Sequence, residues 1–237
     1  MGGAGAAGAR LIVVDIATAY ATTRESLLEL GDTLTGDQLD TPVPALPGWT
    51  VKDTYGHLVG ECADVLDGRL DGMISDEWTA AQVARHSTTP FIEVLAEWRE
   101  RGPELDRWIE EARPTRAMFL ALDAYTHEQD LLAAVGERGR RDDPRVRFLA
   151  GLSRDAFDRR FRNDGIPALR LVQPAGEFVL GDGEPSVTLH VDDYELMRML
   201  FGRRSLAQMR AARWDGDPTA LLDHLHLFPC PEVDLSD

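Results

Sequence analysis

Four stretches of helical periodicity, each at least 16 residues long, fill the first 140 residues, and no convincing strand pattern interrupts them. Few architectures accept this. Helices of that length joined by modest loops, each with one apolar face, predict a four-helix bundle. The stretches run from about Asp15 to Leu34, Thr50 to Leu70, Pro90 to Glu111 and Thr115 to Val135. Thr50 followed three residues later by Asp53 has the spacing of a helix N-cap, and the Pro-rich run Thr41 to Trp49 before it reads as a loop. Pro103 is expected to kink or break the third helix, because it lacks an amide proton and its ring crowds the preceding turn.

Near the basic stretch Gly136 to Asp143 the pattern changes. Residues 1–140 carry a net charge of −12, and residues 141–237 only −4. Arg145 to Phe161 reads as one more helix. Ala168 to Gln173, Glu177 to Leu180 and Ser186 to Val191 read as short strands separated by Gly-containing turns. Asp192 to Phe201, Ser205 to Ala212 and Ala220 to Leu225 return to helix. The expected fold class is α+β: a flexible Gly/Ala-rich leader over 1–14, a bundle over 15–140 and a smaller α+β domain over 141–237.

A net charge of −16 argues against nucleic acid and against anionic membrane surfaces, both of which need clustered Lys and Arg. No run approaches the roughly 20 apolar residues of a membrane span, and Leu11 to Val14 is too short for a signal-peptide core, so a cytoplasmic protein is expected. Cys62 and Cys230 lie far apart in sequence and read as free thiols rather than a disulfide. The chain has no G-x-S-x-G, P-loop, H-E-x-x-H or C-x-x-C, and no G-x-G-x-x-G opening a helix after a strand.

Chemistry concentrates in the fourth helix. Asp123 and His127 interrupt an apolar stripe formed by Phe119, Leu120, Leu131, Ala134 and Val135. Four residues apart, they lie on one face and can converge. Burying a carboxylate and an imidazole is costly unless they find partners, and a shared metal ion is one such partner. A plain ion pair is the other reading. On the second helix, His57 and Glu61 repeat the spacing, with His57 at the stripe's margin. If the two helices are neighbours, His57, Asp123 and His127 supply two nitrogens and an oxygen, with a position left open for water or a substrate atom, as in catalytic zinc sites. Glu61 reads more simply as a solvated flank residue, and Asp130 either as a group orienting a ligand or as the start of a surface salt bridge. Gly202-Arg203-Arg204-Ser205 is a compact cationic element, able to clamp a substrate carboxylate or to cap the preceding helix.

Pro47-Gly48-Trp49-Thr50-Val51-Lys52-Asp53 leading to His57-Leu58 resembles the start of the second helix in DinB-like bundles, specifically in the mycothiol-dependent maleylpyruvate isomerase group. Asp123 to Leu131 is similar to that group's second metal motif, and Tyr194 to Leu200, Gly202 to Ser205 and Trp214 to Asp217 to its appended domain. The resemblance implies zinc or another divalent metal held by His57, Asp123 and His127. It also implies mycothiol, a low-molecular-weight thiol, as cosubstrate, and isomerase or S-transferase chemistry on a small-molecule electrophile, with Arg204 holding a substrate carboxylate. One departure stands out. The group has Glu where this chain has Asp123, and the lost methylene predicts a weaker, different or water-mediated metal contact. A non-catalytic small-molecule binder or interaction protein on the same scaffold, or a secondary-metabolism enzyme recruited from it, is the alternative.

Overall fold

The computed structural model describes residues 14–112 and 114–237; the predicted leader, apart from Val14, lies outside them. The architecture is α+β, as expected: long helices come first and a small sheet follows. The helices α1 (Ile16–Thr33), α3 (Val51–Leu66), α5 (Phe91–Glu111) and α6 (Pro114–Ala134) form a closed ring. In it α1 packs on α5 and α6, and α3 packs on the same two. These are the four periodic stretches of the sequence, within a few residues at each end.

Their starts follow from local chemistry. The Asp15 carboxylate accepts from the Thr18 amide at the head of α1. Thr50 and Asp53 form a reciprocal capping box at the head of α3, satisfying two otherwise orphaned amides. Pro103 does not break α5, which runs unbroken through it. The carbonyl that loses its partner belongs to Arg99, an exposed residue open to solvent, while buried Trp98, Leu105 and Ile109 hold the helix on both sides of the proline.

Two short helices lie between the long ones: α2 (Gly36–Leu39) and α4 (Asp76–His86), neither visible as apolar periodicity. Helix α4 lies against α3, outside the ring. Between α2 and α3 the chain turns at Gly48, whose φ of +87° suits glycine, and backbone bonds from Val43 to Trp49 and from Trp49 to Leu46 tie the loop.

After α6 comes α7 (Pro144–Asp164), capped by Asp143. It packs on α8 (Asp193–Leu200) and on β2 (Gly176–Leu180). With β1 (Leu169–Gln173), β3 (Val187–His190) and β4 (Arg213–Asp215), β2 completes a sheet of order β2-β1-β3-β4. Strands β1 and β3 are parallel and the outer pairs antiparallel; Leu171 pairs with Phe178 on one side and Leu189 on the other. A short helix α9 (Leu206–Ala211) precedes β4, and the helix expected over Ala220 to Leu225 is only a 3-10 turn, Leu222–His224. The buried apolar residues of ring and sheet, from Tyr20 to Leu225, form one continuous core. Cys62 and Cys230 are both free. Among the described residues no helix is long and apolar enough to cross a membrane.

Candidate metal centre

Where α3 packs against α6, three polar side chains meet inside this core. His57 comes from the second turn of α3; Asp123 and His127 come from successive turns of α6. One nitrogen from each imidazole and one carboxylate oxygen lie within 4.8 Å of one another. Asp123 sits between the rings, Oδ2 at 3.1 Å from His57 Nε2 and Oδ1 at 3.5 Å from His127 Nε2. Burial opposes the charge on Asp123, but His127 and then His57 outweigh it and hold the carboxyl well below the usual range. Burial likewise opposes charge on His127, yet Asp123 and Asp130 push its pKa up to about 9. The Asp123 side chain is 13% exposed against 5% and 7% for His57 and His127, so the cluster opens to solvent on the Asp123 side.

A second layer fixes the rings. His57 Nδ1 is 2.8 Å from Gln82 Oε1, and the Gln82 amide nitrogen donates to Asp64 at 2.9 Å. That donation orients the amide, so Nδ1 donates to the amide oxygen and Nε2 is the atom turned to the site. Burial opposes charge on Asp64 too, but bonds from Arg85, Gln82 and Arg69 keep it ionised. Gly60 lets α4 come this close, since a Cβ there would stand 2.6 Å from Gln82 Cβ. On α6, His127 Nδ1 lies 3.3 Å from Asp130 Oδ2, an ion-pair contact short of good hydrogen-bond alignment.

Both rings therefore present Nε2 to a single carboxylate. The ring centroids are 5.1 Å apart, and one divalent cation can accept a nitrogen from each ring together with the carboxylate. Donors around a tetrahedral ion with roughly 2.0–2.2 Å bonds are about 3.3–3.6 Å apart, and each Nε2 stands near that distance from its own Asp123 oxygen, 3.1 Å from Oδ2 for His57 and 3.5 Å from Oδ1 for His127. The residues fit a metal, and the shorter aspartate reaches both histidines.

Other expected residues fall differently. Glu61 is not a solvated flank residue: it is fully buried, and its Oε1 has no hydrogen-bond partner. Burial, with Asp123 and Asp64 adding to it, pushes its carboxyl well up towards the neutral acid. Asp130 is no surface residue either, for it accepts from Arg198 at 2.7 Å and from Arg203 at 2.9 Å inside the protein. Arg203 also donates to the Phe201 carbonyl at the end of α8, the capping role expected of one of the two arginines. Arg204 is not a free clamp. Its guanidinium is buried and spent on Glu195, Asp237 and the Arg203 carbonyl. His86 pairs with Glu97, and His190 with Asp215.

Sequence reasoning missed Gln82, Asp64 and the wall made by Trp49. The Trp49 ring lies 5.3 Å from His57 and stacks on His127 at 6.3 Å. Its sequence signals are its place directly before the Thr50 cap and its membership of the Pro47 to Asp53 motif, neither of which points its ring at the histidines.

Residues 20–173 match the family described as mycothiol maleylpyruvate isomerase N-terminal domain. Among solved structures, the chain is similar in fold to the mycothiol-dependent maleylpyruvate isomerase, with TM-score 0.59 and 14% identity over 79% of this chain and 88% of that one. A His-to-Ala mutant of that isomerase is similar at TM-score 0.56, with the same identity and coverage. No curated protein sequence matches. The family match runs from within α1 to the end of β1 and takes in both helices that supply the imidazoles and the carboxylate; by it, this chain belongs to the mycothiol maleylpyruvate isomerase N-terminal domain family.

Proposed function

We propose that this protein is a divalent-metal- and mycothiol-dependent enzyme, an isomerase or S-transferase acting on a small electrophile. The observation that carries the reading is the meeting of His57 Nε2, Asp123 and His127 Nε2 within 4.8 Å, from two helices of the matched segment. These three side chains would hold zinc or another divalent ion. When bound there, such an ion lowers the pKa of a thiol enough to ionise it near neutrality. The residues around it have separable tasks. Asp123 balances positive charge, Gln82 and Asp130 orient the rings, and Trp49 keeps water off the histidine side. We further propose that the chain divides functionally near residue 140, with the metal ligands before that point and the buttress of Asp130 after it.

The test is metal content followed by thiol dependence. Protein purified metal-free and reloaded should bind about one divalent ion per chain, and His57→Ala and His127→Ala should each lose it. Turnover of an electrophilic substrate should require mycothiol. Metal binding unchanged in both variants would overturn the ligand set, whereas bound metal with no thiol effect would leave a metal-dependent hydrolase.

A further inference from the structure

An apolar cavity of about 400 Å³ lies between the first half of α6, helix α7 and the α3–α4 loop, walled by Met73, Phe119, Leu122, Phe157, Phe201 and Leu227. A cavity of about 150 Å³ is enough for benzene, so this one accepts a ring with substituents. A larger hollow of about 780 Å³ lies elsewhere, beside α1 and α5; its lining includes Asp15, Glu25, Asp106 and Glu110, and none of the metal-site residues.

Two observations besides its shape mark the smaller cavity as a binding site. Ile74 and Leu227, 50% and 53% exposed, are two of the five large apolar side chains left in water among the described residues, and both line this one cavity. Ile74 is also the only non-glycine described residue with positive φ, at +80°. That backbone is strained for a β-branched residue and persists where the surroundings impose it, often at ligand clamps. The strain holds an apolar side chain at the rim, where water alone gives it no stabilisation.

On α6 the cavity's wall comes within one helical turn of the metal centre, and its lining includes none of the three metal-site residues. Phe119, on its α6 wall, is one helical turn before Asp123 in the same column of side chains, about 6 Å along the axis. Asp123 is the member of the cluster through which the site meets solvent. Of the two arginines in the lining, Arg160 is already engaged by Asp164 and the His226 carbonyl, which leaves the exposed Arg116 as the cation for a single acidic group.

We infer that this cavity binds the body of the electrophilic substrate, and that the substrate is an apolar, preferably aromatic, molecule with a single acidic group rather than a compact dianion. Only the link to turnover rests on the proposed thiol chemistry. Binding needs no metal, so the two readings fail separately.

The probe is trans-cinnamate, an aromatic enoate, titrated calorimetrically into metal-free protein with maleate as the dianion control. Saturable binding of cinnamate, tighter than that of maleate, is expected. Ile74→Asp and Leu227→Asp should each weaken it by about tenfold or more, since each sets a carboxylate against the ligand. Because both positions are exposed, melting temperatures should stay close to wild type. The inference falls if cinnamate does not saturate, if maleate binds tighter, or if neither rim variant alters binding. It falls equally if light scattering finds a dimer that both rim variants dissolve, because a second copy of the chain would then cover the patch.

Discussion

At His57, one ring nitrogen is held by an amide, while at His127 the corresponding nitrogen faces a carboxylate. The two imidazoles are thus buttressed by partners of different charge. Replacing Gln82 with Leu removes the acceptor of the Nδ1 proton and leaves Asp64 short of one donor. Losing such an outer partner costs about 10–100-fold in metal affinity. Gln82→Leu is therefore expected to weaken metal binding by that factor in a chelator competition titration while still binding one ion. Unchanged affinity would show that packing alone orients His57. Asp123 and His127 were legible in the sequence because two polar groups at helical spacing broke an apolar stripe. His57, at a stripe margin, joined them only on the condition that the second and fourth long helices are neighbours, a tertiary contact no local pattern encodes. Gln82 was invisible: a lone glutamine carries no periodic signal, and its partner lies 25 residues away. Arg204 misled for the opposite reason, since a cationic dipeptide looks the same whether its charges face solvent or Glu195 and Asp237.

Helix α4 carries the same lesson at the next scale. Its buried positions are Trp78, Gln82 and His86, a face that is two-thirds polar, so apolar periodicity passes over it. Its start signals were nonetheless present in Ser75, which caps the Trp78 amide, followed by Asp76 and Glu77 in the first turn. Pro103 is the converse case, a local breaker overridden by packing on both sides. The contact of α4 with α3 depends on Gly60, and this predicts a reversed sign. In an open helix Gly→Ala gains about 1 kcal/mol. At position 60 the new methyl meets Gln82 Cβ, and overpacking of this kind costs about 1–3 kcal/mol. Denaturant unfolding of Gly60→Ala should show a net loss of stability, and a gain would mean that α4 is free to shift.

Across the molecule, buried ion pairs tie the sheet-bearing half to the helical ring. Arg145, in the first turn of α7, reaches Thr23 on α1 at 2.7 Å and Glu128 on α6 at 3.2 Å. Asp130 on α6 receives Arg198 and Arg203. Burial opposes charge on Asp130, but the two arginines outweigh it and hold the carboxyl well below the usual range. Asp130→Asn would leave buried Arg203 without its anion and Arg198 with Asp237 alone, a change that costs about 3–5 kcal/mol. A drop of that size in unfolding free energy is expected, and a loss under 1 kcal/mol would show that water reaches the arginines. These long-range pairs left no local trace in the sequence, where no pattern links one partner to the other.

The carboxylate beneath His127 also sets how much of the chain a working fragment must contain. A truncation at residue 140, or even at the end of the matched segment at 173, would strand Asp130 with neither guanidinium. The shortest piece that retains the histidine's buttress has to extend through Arg203, so the helical ring cannot be excised with that support intact.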